Sequence, residues 1–258
     1  MHQSDLQKFI RGIEYENPIF WSRFGEKPEL KGTTVLEIGS GWGSLCVEMA
    51  LEGPAKVVGL DIDSDLIEFA NENLNKNFPH LMPIVEFKAI ELKDYTGGAF
   101  NFIVSKDSFD HIAGIDALLF EMKKRLKAGG RIYAGFGPLY YSPYGDHDRR
   151  CVGFRSLGCW GRVLSMIPWG HILMESFIIK MQGQHLGRTV NSMVEIGLNK
   201  LSVSDFRAVI AKLELDEILF RVNQSTNIAS KVFSLLRKIR WLENFFTHNI
   251  YCILEKPL

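Results

Sequence analysis

One segment constrains this chain more than any other: Val35-Leu36-Glu37-Ile38-Gly39-Ser40-Gly41-Trp42-Gly43-Ser44, a strand-like run that breaks into glycines and then a helix. Thr33 to Ile38 is apolar and β-branched, which suits a strand covered on both faces. Glycines at its exit let the backbone bend through conformations closed to other residues and approach a ligand closely. The helix that follows leaves its first N–H groups unpaired and aimed at that ligand. A second apolar run, Ala55 to Leu60, comes after a Gly53-Pro54 helix stop. Strand, helix and strand at this spacing make a βαβ unit.

The alternation continues along the chain. A helix from Ser64 to about Lys76 follows Asp61-Ile62-Asp63, whose short acids can cap it. Strands are predicted at Ile84 to Ala89, Phe100 to Ser105 and Arg131 to Phe136. A helix from Ile115 to Lys127 precedes the last of these and stops at Ala128-Gly129-Gly130. Later come a helix near 202–212, a strand near 216–222, a helix near 226–243 and a strand near 249–254. This order predicts an α/β fold with a doubly wound, mostly parallel sheet. Residues 138–200 are rich in aromatic residues, methionine and glycine without a clean period, and read as a helical cap insertion over the carboxyl edge. With 258 residues the chain fits a single domain spanning 1–258.

Composition narrows the partners. Lys plus Arg and Asp plus Glu both number 30, so no global field attracts a polyanion, and no nucleic-acid partner is expected. The start, MHQSDLQKFIRGIEYENP, lacks the apolar run of a leader, and no stretch reaches a membrane span, so a cytoplasmic protein without stable membrane insertion is expected. The four cysteines, Cys46, Cys151, Cys159 and Cys252, include no C-x2-C pair and read as free thiols.

The glycine spacing separates two cofactor classes. Dinucleotide-binding turns follow G-x-G-x-x-G, whereas this chain has G-x-G-x-G with Glu37 two places ahead. Asp61 then ends the second strand, where a carboxylate can accept hydrogen bonds from both hydroxyls of a ribose. E-x-G-x-G-x-G, GLD at 59–61 and L-K-A-G-G-R-I at 126–132 together resemble the class I S-adenosylmethionine-dependent methyltransferase family. The resemblance covers about residues 33–137. It implies a Rossmann-like sheet of seven strands with the last antiparallel, and S-adenosyl-L-methionine as the cofactor. Carried over, Glu37, Gly39, Ser40, Gly41 and Gly43 surround the methionine portion, and Asp61 holds the ribose. Ile62, Glu91 and Leu92 meet the adenine, and Lys106 the methionine end. Glycine-aspartate is more usual where Ile90-Glu91 stands here, and Asn101 replaces a usual aspartate.

The acceptor is expected to be a small or medium-sized molecule methylated on oxygen or nitrogen. Asp107 and His111, in the loop after strand four, are candidate catalytic residues, as is His147 beside Asp146. Tyr140, Tyr141 and Tyr144 are candidate pocket walls, and His171 a further substrate-binding candidate. Met166, Met174, Met181 and Met193 with nearby aromatics suit an apolar lining or a cap core. No carboxylate arrangement matches a metal site, so no metal is expected. The other readings are an RNA or protein methyltransferase, a non-catalytic binding protein that keeps the fold, and a nicotinamide oxidoreductase. The loop after strand four lacks the N-P-P-[YF] motif of many base methylases, and the glycine spacing disfavours the nicotinamide cofactor.

Overall fold

The computed structural model describes residues 3–147, 166–223, 235–239 and 241–258. Its seven strands are β1 (Thr34–Ile38), β2 (Lys56–Asp61), β3 (Val85–Ala89), β4 (Phe100–Lys106), β5 (Leu126–Phe136), β6 (Asp216–Val222) and β7 (Ile250–Glu255). They form one sheet in the order β3-β2-β1-β4-β5-β7-β6. β1 to β5 pair in parallel, and β7 lies antiparallel between β5 and β6. The expected doubly wound, Rossmann-like sheet is therefore what forms.

Successive side chains of a strand point to opposite faces, and this divides the core in two. Leu36, Val58, Ile103 and Ile132 share one cluster with Leu119 of α5 (Ile115–Arg125) and Phe206 of α8 (Val203–Lys212). Val35, Val57, Val104 and Tyr133 share the other with Val47 of α3 (Ser44–Ala50) and Ile67 of α4 (Ser64–Asn77). Each side chain fully buried this way contributes roughly 1.5–3 kcal/mol. Asp63 caps α4, its side chain accepting from the N–H groups of Asp65 and Leu66. Ser202 does the same for α8 through Asp205.

Two elements depart from the sequence pattern. The helix predicted to reach Lys127 ends at Arg125, and β5 begins at Leu126 instead of Arg131. Leu126 pairs with Phe100 of β4 and is buried, and Gly129 and Gly130 exchange backbone hydrogen bonds with Lys256. Those long-range pairings outweigh the local glycine stop signal. Before Thr33 the pattern predicts no element, yet α1 (Gln3–Arg11), a π-helical turn (Gly12–Glu16) and α2 (Asn17–Phe24) form there. Phe20, Trp21 and Phe24 pack edge-on with one another and onto Tyr133 and Tyr251 of the sheet.

Within 138–200 the described residues form α6 (Gly170–Leu173) and α7 (Glu175–Leu186) around a small cluster of their own that contains Tyr140, Ile178 and Met193. Most of the helix predicted at 226–243, with Lys231, Val232 and Arg240, lies outside the described residues, as do Cys151, Cys159 and Trp160. Cys46 and Cys252 are buried free thiols. Among the described residues no helix is long and apolar enough to cross a membrane.

Candidate functional site

The strand order changes direction between β1 and β4, and in open α/β sheets ligands bind outside the carboxyl ends at such a point. A crevice of about 570 Å³ opens there, between the ends of β1 and β2 and the loop after β4. The glycine turn forms its rim. Gly39, Gly41 and Gly43 have φ of 74°, 50° and 79°, all in the left-handed region. At Gly39 a Cβ would stand 2.0 Å from Ser108 Oγ, so glycine also lets the turn and the β4 loop approach. At Gly41 a Cβ would meet nothing within 4 Å, so left-handed geometry alone selects glycine. The N–H groups of Gly39 and Ser40 both donate to Leu60 O, tying the turn to the end of β2.

Asp61 completes this tie. Gly41 N–H donates to its Oδ2 at 2.8 Å and Asp63 N–H to its Oδ1 at 3.0 Å. Each carboxylate oxygen has a second lone pair, so Asp61 can still accept from a ligand hydroxyl at the crevice wall it lines. Ile62 stands beside it with 79% of its surface exposed, an apolar side chain held out where a flat ring could rest. Glu91 and Leu92 line the same wall, with Glu91 ion-paired to Lys93 at 2.8 Å.

Glu37, Ser40, Gly41, Gly43 and Lys106 lie behind or beside the lining of this cavity. Glu37 is buried on β1 and accepts from Cys46 Sγ at 2.9 Å. Desolvation pushes its pKa up to about 8, against the pull of Cys46 and Lys106. Ser40 Oγ is buried without a hydrogen-bond partner. Lys106 Nζ donates to Asn17 Oδ1 at 2.9 Å and lies 3.4 Å from Glu16 Oε2. Glu16 and Asn17 come from the π-helical turn and the start of α2, and the sequence reading missed them. Asn17 is fully buried with its Nδ2 unpartnered. The apolar spacing of Phe9, Phe20, Trp21 and Phe24 is the signal that marks these helices as packed against the sheet.

At the other end, Asp107 and His111 line the crevice together. Asp107 holds a φ of 52° and its N–H donates to Gly135 O. Its surface is open to solvent in the crevice mouth, but protein closes around the carboxyl elsewhere. That desolvation pushes its pKa up to about 6, against the opposing field of Lys106. His111 Nδ1 lies 2.7 Å from Gly197 O, and Asn199 Nδ2 donates to the carbonyls of Phe109 and Ile112. The cap thus fastens the loop that carries both residues.

His147 sits one layer behind. It does not line the crevice, and its Nε2 lies 2.8 Å from Pro138 O and 3.2 Å from Asp110 Oδ2. Asp146, its sequence neighbour, turns instead toward His171 Nδ1 at 4.0 Å. His171 is fully buried, with Nε2 at 2.6 Å from Tyr140 O, and it supports the cap without reaching the crevice. Tyr140 is also buried, its hydroxyl donating to Glu175, and burial raises its pKa. Tyr141 packs edge-on against Tyr140, and Tyr144 is exposed with its hydroxyl donating to Met166 O. None of the three tyrosines lines this crevice, because their rings are drawn into the cap or turned to its surface. Met193 is in the cap core and Met166 on its surface.

Residues 29–135 match the family model described as a methyltransferase domain. Phosphoethanolamine N-methyltransferase 2 of Caenorhabditis elegans is 29% identical over 152 residues, 56% of this chain and 33% of that protein. The ubiquinone biosynthesis O-methyltransferase of Mesorhizobium japonicum is 30% identical over 118 residues, 43% of this chain and 45% of that protein. The chain thus spans less than half the length of these curated relatives. The crystal structure of an S-adenosylmethionine-dependent methyltransferase from Mesorhizobium loti aligns over 93% of this chain and 97% of that one, with a TM-score of 0.57 at 12% identity. That likeness shows a shared fold. Residues 29–135 thus match a methyltransferase domain in sequence, and the chain shares the fold of a solved S-adenosylmethionine-dependent methyltransferase.

Proposed function

We propose that this protein transfers a methyl group from S-adenosyl-L-methionine to an oxygen or nitrogen of a small or medium-sized acceptor. One observation carries the reading. Asp61, gripping the glycine turn, and the Asp107–His111 pair line opposite ends of a single crevice at the strand-order reversal. In this reading Asp61 accepts from the ribose hydroxyls, Ile62 and Leu92 cover the adenine, and Glu91 meets its amino group. Glu37, Ser40 and Lys106 serve the methionine end, with Gly39, Gly41 and Gly43 making room. When bound, the sulfonium cofactor supplies a methyl group on an already activated leaving group. The protein's task is then alignment, which can contribute up to roughly 7–11 kcal/mol.

A hydroxyl acceptor also needs somewhere for its proton to go. Asp107, with its pKa near 6, is largely ionised at neutral pH and still basic enough to take that proton. His111 faces the same space beside it, while His147 acts through the groups in front of it. The C. elegans and M. japonicum relatives are named for nitrogen and oxygen methylation respectively, which supports both options. Balanced charge supports a small acceptor over a nucleic acid, and a cytoplasmic workplace accords with the sequence. The test is methyl transfer to a panel of small hydroxyl and amine acceptors, followed by S-adenosylhomocysteine release. Turnover of one acceptor class above the acceptor-free rate supports the reading. Tight S-adenosylhomocysteine binding with no transfer to any class would favour a non-catalytic binding protein.

A further inference from the structure

We infer that Asp110, His111 and His147 form a binding site for a divalent transition-metal ion at the acceptor end of the crevice. The sequence hides this group, because His147 arrives from a loop 36 positions beyond His111 and no motif spacing links them. Each residue offers one ligand atom, and these atoms all lie within 4.8 Å of one another. Asp110 is 3% exposed, and neither of its carboxylate oxygens has a hydrogen-bond partner. A buried ionised carboxylate is costly to leave uncompensated.

The distances identify what compensates it. His147 Nε2 and His111 Nε2 lie 3.2 and 3.4 Å from the same oxygen, Asp110 Oδ2. Hydrogen bonds between charged nitrogen and carboxylate are shorter, at about 2.7–2.9 Å. Ligands bound tetrahedrally at about 2.0–2.1 Å, as around zinc, stand ~3.3 Å apart along each edge. The protonation pattern agrees. Gly197 O is an obligate acceptor, so the neutral His111 ring places its proton on Nδ1. In that tautomer the Nε2 lone pair faces a carboxylate oxygen, two acceptors that a cation between them would satisfy. A histidine whose outer nitrogen is fixed by a backbone carbonyl is also the usual arrangement around a metal. His147 Nε2 donates to Pro138 O here, and on ligation its proton moves to Nδ1 while the lone pair turns to the ion. Two imidazoles and a carboxylate suit zinc, cobalt or manganese and leave a coordination position open. Resting on the methyltransferase reading, the ion would sit behind the acceptor end and fix the loop that carries Asp107, which remains the base.

Titration of the metal-free full chain with Zn²⁺ by calorimetry, and with Co²⁺ by visible absorption, tests the site. The expected result is one ion per chain, the intense visible bands of tetrahedral Co²⁺, and at least tenfold weaker binding in Asp110→Asn and His147→Asn. Asparagine tolerates the left-handed backbone of His147, whose φ is 48°, so the second variant guards against misfolding of the first. S-adenosylhomocysteine binding, measured in parallel, confirms that each variant is folded. No ion bound by wild type, or equal binding by the variants, would overturn the site and leave a proton-sharing cluster. S-adenosylhomocysteine bound without metal removes the ion site alone, while metal bound without S-adenosylhomocysteine removes the cofactor reading alone.

Discussion

The two ends of the crevice are built in opposite ways. The cofactor end is largely local: Gly39 to Asp61 is one βαβ unit, and the Gly39, Ser40 and Gly41 N–H bonds to Leu60 and Asp61 all fall within it, with Ser108 and Lys106 adding contacts from β4 and its loop. The acceptor end is assembled from afar. Asp107 and His111 leave β4, Gly197 and Asn199 reach back from the cap, and His147 comes from the loop after β5. The contrast implies that the cofactor end is a fixed scaffold, while the acceptor end can be altered through the cap without disturbing it.

The comparison can be broken most severely at the scaffold. Gly39→Val forces a β-branched residue into a left-handed conformation and against Ser108, and should reduce S-adenosylhomocysteine affinity more than about hundredfold. Calorimetry checks this, and retained affinity would mean that the turn does not frame the ligand. At the acceptor end the effect should fall on turnover alone. Asp107→Asn is expected to lower kcat by about ten- to hundredfold with S-adenosylhomocysteine affinity changed less than about threefold. In the wild type, activity should rise with pH through about 6 as Asp107 ionises, and the variant should lose that limb.

Glu37 offers a smaller effect with a defined sign. Its folded pKa of about 8 lies above the unfolded carboxyl value, so the proton is held more tightly in the native state. Stability is therefore greatest below the unfolded value and falls as pH rises toward 8, by up to about 4–5 kcal/mol at the limit. Chemical unfolding between pH 5 and 9 should show this decline in wild type and a flatter profile in Glu37→Gln. A profile shared by both would remove Glu37 as the cause. The smallest change is expected at Asn17. Asn17→Ala removes an acceptor from Lys106 and should cost about 1–3 kcal/mol of stability with a change of only a few-fold in cofactor affinity.

This difference also explains what was legible in the sequence. The mostly parallel sheet and the Gly39–Asp61 wall follow from short-range signals: apolar runs, glycines at a strand exit, an acid at the end of β2. The antiparallel last strand came only with the resemblance to the methyltransferase family. The β5 start at Leu126 did not follow from such signals, because its pairing with Phe100 overrides a glycine pair that looks like a stop. Asp146 and His147 are adjacent in sequence yet turn to different partners, His171 and Asp110, with His147 itself in the left-handed region. Tyr140 and His171 looked like pocket residues by composition, but they fill the cap core. Glu16 and Asn17 carry no motif and reach Lys106 only because α2 packs its aromatic face on the sheet.

The most direct test is S-adenosylhomocysteine titration of wild type and Asp61→Ala by calorimetry. Loss of hydrogen bonds from two ribose hydroxyls to a charged group, each contributing about 1.5–3 kcal/mol, predicts saturable one-to-one binding by wild type and at least about hundredfold weaker binding by the variant. Equal affinity in the two proteins, or no binding by wild type at millimolar ligand, would contradict the assignment of this crevice to the cofactor.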